Sequence, residues 1–451
     1  MEAQDEKAAA YLDVLEETLA WSEERDYAGY SKHDALNSPL LETLTRPSRF
    51  LRMAAIQAVM RFPWNVRPLC GVPPRRNPKG IGLFAHACFD LAASLRNGIV
   101  RSSSCSEDTC RGEAGRLLSW LAGRGSAEAP GSDDLRGAFG HAAADSGPTV
   151  ERLAGLGWGY HYPWQDVGFF QPRHYPNRVV TSWIGFAFLR GWEETRQERF
   201  LKAGREIAEF LLRNPKPLMD SPSELCLSYV PSKDIHWAVM DVSALTAAFC
   251  TRLAALTGAP IGEDGEPARL MRFVVNRQTD YGAWFYTWPS KDSHIKHDNY
   301  HTGIILDCLA DYMADSDNDE YVPHYVKGLD FYRQHLFLDN GAPRWMNDRT
   351  YPHDVHGAAA GVLAFNRAAV FAESSTSDKL RRRAPDYRAF ADRILDWTLE
   401  NLYSGKGAFY YRKGRFATNR LCLMRWCNAW MCRAIAGRLR SQSSRPAAIS
   451  A

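Results

Sequence analysis

The 451-residue sequence has no long uninterrupted apolar run, no strong excess of either charge and no regular spacing of its cysteines. No apolar stretch approaches the roughly 18 residues that cross a bilayer. The start, Met1-Glu-Ala-Gln-Asp-Glu6, lacks the basic segment of a secretory signal, so a cytoplasmic protein is expected. Lys and Arg number 55 against 52 Asp and Glu, and the resulting +3 gives no reason to expect nucleic acid or an anionic membrane as the main partner. Of the ten cysteines, Cys105 and Cys110 lie in a Ser-rich segment, and Cys226, Cys250, Cys308, Cys422, Cys427 and Cys432 lie in apolar surroundings. They follow no disulfide framework and read as free, mostly buried thiols. An Asp-rich cyclase motif and an Asp, Cys and His zinc set are both missing, and Asp315-Ser-Asp-Asn-Asp-Glu320 reads as a solvated turn between helices.

What the chain does have is repetition. Nearly unbroken apolar helices are expected around Leu83-Phe-Ala-His-Ala, Thr181-Ser-Trp-Ile-Gly, Asp241-Val-Ser-Ala-Leu, His301-Thr-Gly-Ile-Ile, His356-Gly-Ala-Ala-Ala and Arg425-Trp-Cys-Asn-Ala. From the second copy on they recur about every 55 to 70 residues, room for two helices per repeat. Amphipathic helices with charged faces are expected at residues 7–23, 48–59, 199–213, 266–277, 321–335 and 387–402, with a weaker one at 112–122. Glycine and aromatic turns follow most of them: Gly157-Trp-Gly-Tyr160, Gly282-Ala-Trp-Phe-Tyr286, Gly341-Ala-Pro-Arg-Trp345 and Gly407-Ala-Phe-Tyr-Tyr411. A helical hairpin cannot bury its apolar face alone, and about six copies predict an all-α fold, an α/α toroid whose inner helices present their N-termini to one central cavity. The toroid is expected to span residues 1–440 as one domain, with a flexible insertion at 124–149 and a disordered tail from Ser441.

Several motifs resemble those of the VpsJ-type polysaccharide-biosynthesis proteins: Leu36-Asn-Ser-Pro39, Arg76-Asn-Pro-Lys79, Trp164-Gln165, Asp298-Asn-Tyr-His-Thr-Gly303, Tyr351-Pro-His-Asp-Val-His356 and Met424-Arg-Trp426 with Ala429-Trp430. The resemblance runs from about residue 21 to 435. It implies an α/α toroid and a role in bacterial exopolysaccharide or capsule assembly, and brings no catalytic assignment. His161-Tyr-Pro163 and Met240-Asp-Val242 depart from the pattern, so neither loop is expected to supply a catalytic acid.

Chemistry is therefore sought at the starts of three consecutive inner helices, where Asp298, Tyr300, His301, Asp354, His356 and Arg425 fall. Arg425 suits the carboxylate of a uronic acid, and His301 or His356 with Tyr300 suit exchange of its C5 proton, which covers epimerisation and β-elimination. Two other enzymatic readings stay open: a glycosidase using Asp298 and Asp354, and a metal site on the histidines, for which no ligand spacing speaks and no cofactor is expected. The plainer alternative makes the aspartates helix N-caps and the histidines hydrogen-bond fillers, and a non-catalytic glycan-binding or assembly factor would use the same cavity. Tyr160, Trp164, Trp284, Tyr286, Trp288, Asn299, Trp345, Tyr410 and Trp426 are the candidate sugar contacts, and Lys291, Lys296 and Arg344 could attract an acidic glycan. The partner expected is an oligosaccharide or polysaccharide, free or lipid-linked, with membrane glycan-assembly enzymes open as peripheral partners.

Overall fold

The computed structural model describes residues 2–125, 153–167, 169–214, 217–232 and 238–444. Its frame is built from α1 (Glu2–Glu23), α2 (Pro78–Arg96), α3 (Glu107–Ala122), α4 (Arg178–Thr195), α5 (Glu198–Arg213), α6 (Met240–Thr257), α7 (Glu266–Val275), α8 (Asn299–Ser316), α9 (Val322–His335), α10 (Val355–Ser374), α11 (Ala384–Leu402) and α12 (Trp430–Arg440). Each even-numbered helix packs on the next, and α12 returns to α2, so these six form a closed inner ring. The odd-numbered helices lie outside: α3 on α2, α5 on α4, α7 on α6, α9 on α8, α11 on α10, and the first helix α1 on the last, α12. The fold is an α/α toroid, closed by pairing the chain's two ends.

The division into layers follows from side-chain pattern. In α5 the buried positions Phe200, Leu201, Gly204, Ile207, Ala208 and Leu211 recur every three to four residues, a single apolar stripe. In α10 every residue from Val355 to Asn366 is buried, since ring neighbours and α11 surround it. By length and composition α10 would also cross a membrane, but 89% of its apolar window is packed inside the protein.

The aromatic turns have a defined mechanical job. Gly282, Gly341 and Gly407 have φ of +95°, +91° and +74°. A Cβ on them would lie 2.6 Å from Lys327 O, 2.5 Å from Arg393 O and 2.4 Å from Glu17 O, so each turn is pressed against the outer helix of the next hairpin. The residues leading into one inner helix also pair with the next repeat's aromatic turn. Val239 pairs with Thr287, Asp298 with Met346, and Asp354 with Arg412. These bridges tie the loops into a collar above the inner-helix N-termini.

Several boundaries move. The weak helix expected from 112 begins at Glu107, where Ser106 and Thr109 form a capping box. The helix expected at 48–59 runs from Arg49 to Arg61, and an unanticipated short helix, Pro39–Thr45, precedes it. Asp315 is not in a solvated turn: it closes α8 and pairs with Arg252 at 2.6 Å. Ser441–Ser444 forms a 3-10 turn in place of tail, with Ser441 Oγ donating to Asn366 at 2.6 Å. The rest of that tail, and the expected insertion from residue 126, lie outside the described residues. All ten cysteines are free, and seven of them are buried.

Candidate active site

The collar end of the ring gathers the side chains of the inner-helix starts. Asp298 caps α8, accepting the His301 N–H at 2.8 Å, and its second oxygen meets His301 Nδ1 at 2.5 Å. The carboxylate therefore fixes the imidazole with a proton on Nδ1 and turns Nε2 away, toward space no described residue occupies by hydrogen bonding. Burial alone would lower the His301 pKa, but the Asp298 charge and hydrogen bond outweigh it and lift it above 6.5.

Tyr300 stands between two imidazoles, its ring 4.3 Å from His301 and stacked 4.9 Å from His356. His356 is buried, and neither ring nitrogen has a partner among the described residues. Burial, then the charges of Lys79, Arg425 and Lys32, holds it well below the ordinary range, so it is neutral at pH 7. Trp426 joins the group with its ring 4.3 Å from His356, and its indole N–H donates to Asp354 at 2.7 Å. Asp354 caps α10 through the His356 N–H at 2.9 Å, while its other oxygen is buried without a partner among the described residues. Burial raises its pKa, with Lys32 pulling the other way.

The plain N-cap reading of both aspartates is thus realised, yet each also serves a side chain of the cluster. Arg425 begins a π turn, Arg425–Ala429, that leads into α12. Its guanidinium lies 5.4 Å from the Tyr160 ring and 5.3 Å from that of Trp426, with Tyr162 as hydrogen-bond partner. Contacts thus link all six residues without a break.

Three charged groups that sequence reasoning passed over lie in the same cluster. Lys32, from the segment before the first inner helix, is buried with Nζ 3.8 Å from the Trp426 ring centre and 5.7 Å from that of Trp345. Burial lowers its pKa to about 8, against the pull of Asp354. Lys79, in the first turn of α2, lies 5.2 Å and 5.5 Å from the rings of Trp430 and Trp183 and has no ion pair among the described residues. Burial and Arg425 hold it well below the usual lysine range. Asp241, in the loop set aside for departing from the family pattern, is buried with one oxygen unpartnered among the described residues. Burial raises its pKa, opposed by His301 and Lys79. The cluster thus holds basic groups with no ion pair among the described residues beside protonatable carboxyls.

The expected sugar contacts divide. Tyr286 lies 4.4 Å from His301 by ring centres, Tyr160 donates to or accepts from Tyr229 at 3.3 Å, Trp164 sits edge-on to both, and Trp345 and Trp426 flank Lys32. Four others do not face the cluster. Trp284 is buried and locks its turn by donating to Val274 O at 2.9 Å, and Trp288 packs on Phe273 and Arg277 of the outer layer. Asn299 is held between Leu336 O at 2.6 Å and the Tyr332 hydroxyl at 2.8 Å. Tyr410 is replaced by its neighbour Tyr411, which is buried beside Asp354 and Tyr300, because adjacent residues of an extended turn point to opposite sides. Lys296 pairs with Asp348 on the surface at 3.2 Å, Lys291 is exposed, and Arg344 reaches only Thr350, so none enters the cluster. Among the described residues no three His, Cys, Asp or Glu side chains converge on a metal position. An open cavity of about 430 Å³ lies to one side, lined by Arg75, Arg76, Trp120, Arg124, His161 and His174.

Neither a family model nor a curated protein matches the sequence. Solved structures do match by shape. An unsaturated glucuronyl hydrolase from Streptococcus agalactiae superposes with a TM-score of 0.54 at 8% identity, covering 97% of this chain and 91% of that one. A cellobiose 2-epimerase from Bacillus thermoamylovorans gives 0.51 at 12% identity over 80% of this chain and 87% of its own. A GH76 α-mannanase from Bacteroides thetaiotaomicron gives 0.50 at 12% identity over 80% and 86%. At such identities the likeness establishes the α/α toroid and nothing of the chemistry.

Proposed function

We propose that this protein modifies a saccharide in bacterial exopolysaccharide or capsule assembly, working in the cytoplasm by removing the C5 proton of a uronic-acid residue. The observation that carries the reading is the Asp298–His301 pair beside Tyr300 and the neutral His356. Asp298 stabilises positive charge on His301, so Nε2 can take a proton, and an uncharged imidazole on the other side of Tyr300 provides a second transfer site. The substrate carboxylate would be met by Lys32, Lys79 and Arg425, whose charge stabilises the enediolate formed as the C5–H electrons move toward the carboxyl group. Return of a proton to the opposite face gives the epimer. Expulsion of the C4 oxygen, with a proton supplied by the Asp241 carboxyl, whose pKa burial raises, gives an unsaturated sugar. Neighbours of like fold that act on sugars, by hydrolysis and by epimerisation, support a carbohydrate substrate.

A hydrolytic reading has one observation in its favour. Asp241 and Asp354 each keep a buried, unpartnered oxygen and a raised pKa, as a general acid requires. Asp298 has no such free oxygen, since His301 occupies both.

Incubation with glucuronate-, mannuronate- and galacturonate-containing oligosaccharides in deuterated water tests the proposal. Deuterium at C5 or a 4,5-unsaturated product is expected with the wild type and not with folded His301→Ala or His356→Ala. A new reducing end with neither deuterium nor an unsaturated product would replace the proposal with hydrolysis. Tight binding with no chemical change would leave a glycan-binding role.

A further inference from the structure

The small net charge conceals one segment of very different character. Residues 39–69 carry five arginines, one acidic residue and no lysine, and Glu42 is already 3.7 Å from Arg173. This segment also holds most of the large apolar side chains left exposed among the described residues: Leu40, Leu44, Phe50, Leu51, Phe62 and Trp64, the last 73% exposed. They are not scattered. On the helix Arg49–Arg61, Phe50, Leu51, Ala54 and Ala58 are exposed at helical spacing, and the stripe runs on into Phe62 and Trp64, whose rings lie 5.7 Å apart. Its opposite face is the one that packs, with Ile56 and Val59 on Leu36 and Ala35.

Arg46, Arg49 and Arg61 are exposed around the stripe, and none has an acidic partner among the described residues. A protein partner of matching shape would satisfy the apolar stripe equally well. Unpaired arginines bordering Phe, Leu and Trp on one face favour a surface with an apolar interior and a diffuse negative skin. The segment is also fastened to the collar end of the ring. Arg52 Nε donates to Gln165 at 2.9 Å, Trp164 packs under the helix and meets Tyr160 and Tyr229 in the cluster, and the chain just before the segment supplies Lys32.

We infer that residues 39–69 form an interfacial docking surface for an anionic phospholipid bilayer and hold the collar end of the toroid against it. The inference stands apart from the reaction proposed above, since it concerns where the protein sits. A saccharide tethered to a lipid carrier would reach the cluster without leaving the membrane.

The test is co-sedimentation of the full chain with vesicles of phosphatidylcholine alone or with about 30% phosphatidylglycerol, at low salt and at about 0.5 M salt. Binding to the anionic vesicles, weakened by salt and absent on neutral ones, is expected. Replacing Arg46, Arg49 or Arg61 by Ser should lower the partition coefficient about fivefold each. The triple variant Phe50→Ser, Leu51→Ser, Trp64→Ser should lower it at least about tenfold, with an unchanged far-ultraviolet spectrum and melting curve. Three outcomes overturn the inference: no vesicle binding by the wild type, equal binding by the folded triple variant, or a wild-type dimer that the triple variant dissolves while neither binds vesicles.

Discussion

Replacing Lys32 by Met should make the protein more stable and less able to act on an acidic sugar. The Lys32 ammonium is buried, its pKa lowered from 10.5 to about 8, and no carboxylate pairs with it among the described residues. At 1.36 kcal/mol for each tenfold loss of proton affinity, folding the charged lysine costs roughly 3 kcal/mol at pH 7. The Trp426 ring at 3.8 Å returns up to about 2 kcal/mol of that. Methionine keeps the length of the stem and carries no charge, so a gain of roughly 1 to 3 kcal/mol is expected. The sign with pH is fixed. Between about 8 and 10.5 the unfolded chain holds the proton and the folded chain has lost it, so wild-type stability rises through that window and the advantage of Lys32→Met shrinks. Urea unfolding of both proteins at pH 7 and pH 10 measures this directly. A Lys32→Met protein that is no more stable at pH 7, or whose advantage does not change by pH 10, would refute the claim that Lys32 is a buried, uncompensated charge. If Lys32 holds the substrate carboxylate, the same variant should also raise KM at least about tenfold.

The Asp298–His301 pair and Lys32 together set a pH profile: kcat/KM should rise through an acid limb above 6.5 as His301 loses its proton, and fall near 8 as Lys32 does. Asp298→Asn keeps the N-cap but turns its NH2 group at Nδ1, forcing the tautomer with its proton on Nε2, so kcat/KM should fall at least about a hundredfold in a protein that still folds; an unchanged rate would mean His301 is not the base. At the far end of the ring, Asp90 is buried and bonded to Arg190 at 2.8 Å, Arg433 at 3.0 Å and Arg440 at 3.1 Å. Burial acts to raise its pKa, but the three guanidinium groups hold it well below the usual carboxylate range. Asp90→Asn should therefore cost about 3 to 5 kcal/mol in urea unfolding at pH 7 by leaving the buried Arg433 without a counter-charge, while Arg190 keeps Glu193 and Glu194, and the loss should narrow as pH falls below 4.

How much of this could be read from the sequence depends on what periodicity carries. Layering was legible because burial on all sides and burial on one side write different patterns, as in α10 and α5. The glycine turns were legible because a positive φ against a neighbouring backbone admits almost nothing else. Sidedness within those turns was not, because a one-residue difference in an extended segment reverses the side chain and exchanges Tyr410 for Tyr411.

The site itself obeys a register that appears only once the helix starts are placed. Lys79, Val179, Asp241, Tyr300 and His356 are each the second residue of an inner helix. The α8 motif legible in the sequence, at His301, stands one residue past that column, and the α2 motif at Leu83 stands four past Lys79, so repeat similarity alone hides the column. In a closed ring the same helical position points toward the axis from every member, and that column supplies a cation, an acid, a phenol and an imidazole to one place. Lys32 belongs to no repeat and carries no periodic signal. It reaches the cluster because the segment before α2 folds over the collar, held there by Arg67 bonded to Asp34 at 2.6 Å and to the Ser31 carbonyl at 3.0 Å. Such a residue becomes visible only when the chain's long-range path is known, and Lys32 beside Asp354, with Lys79 beside Asp241, turns a row of N-caps into a site that can hold an acidic ligand.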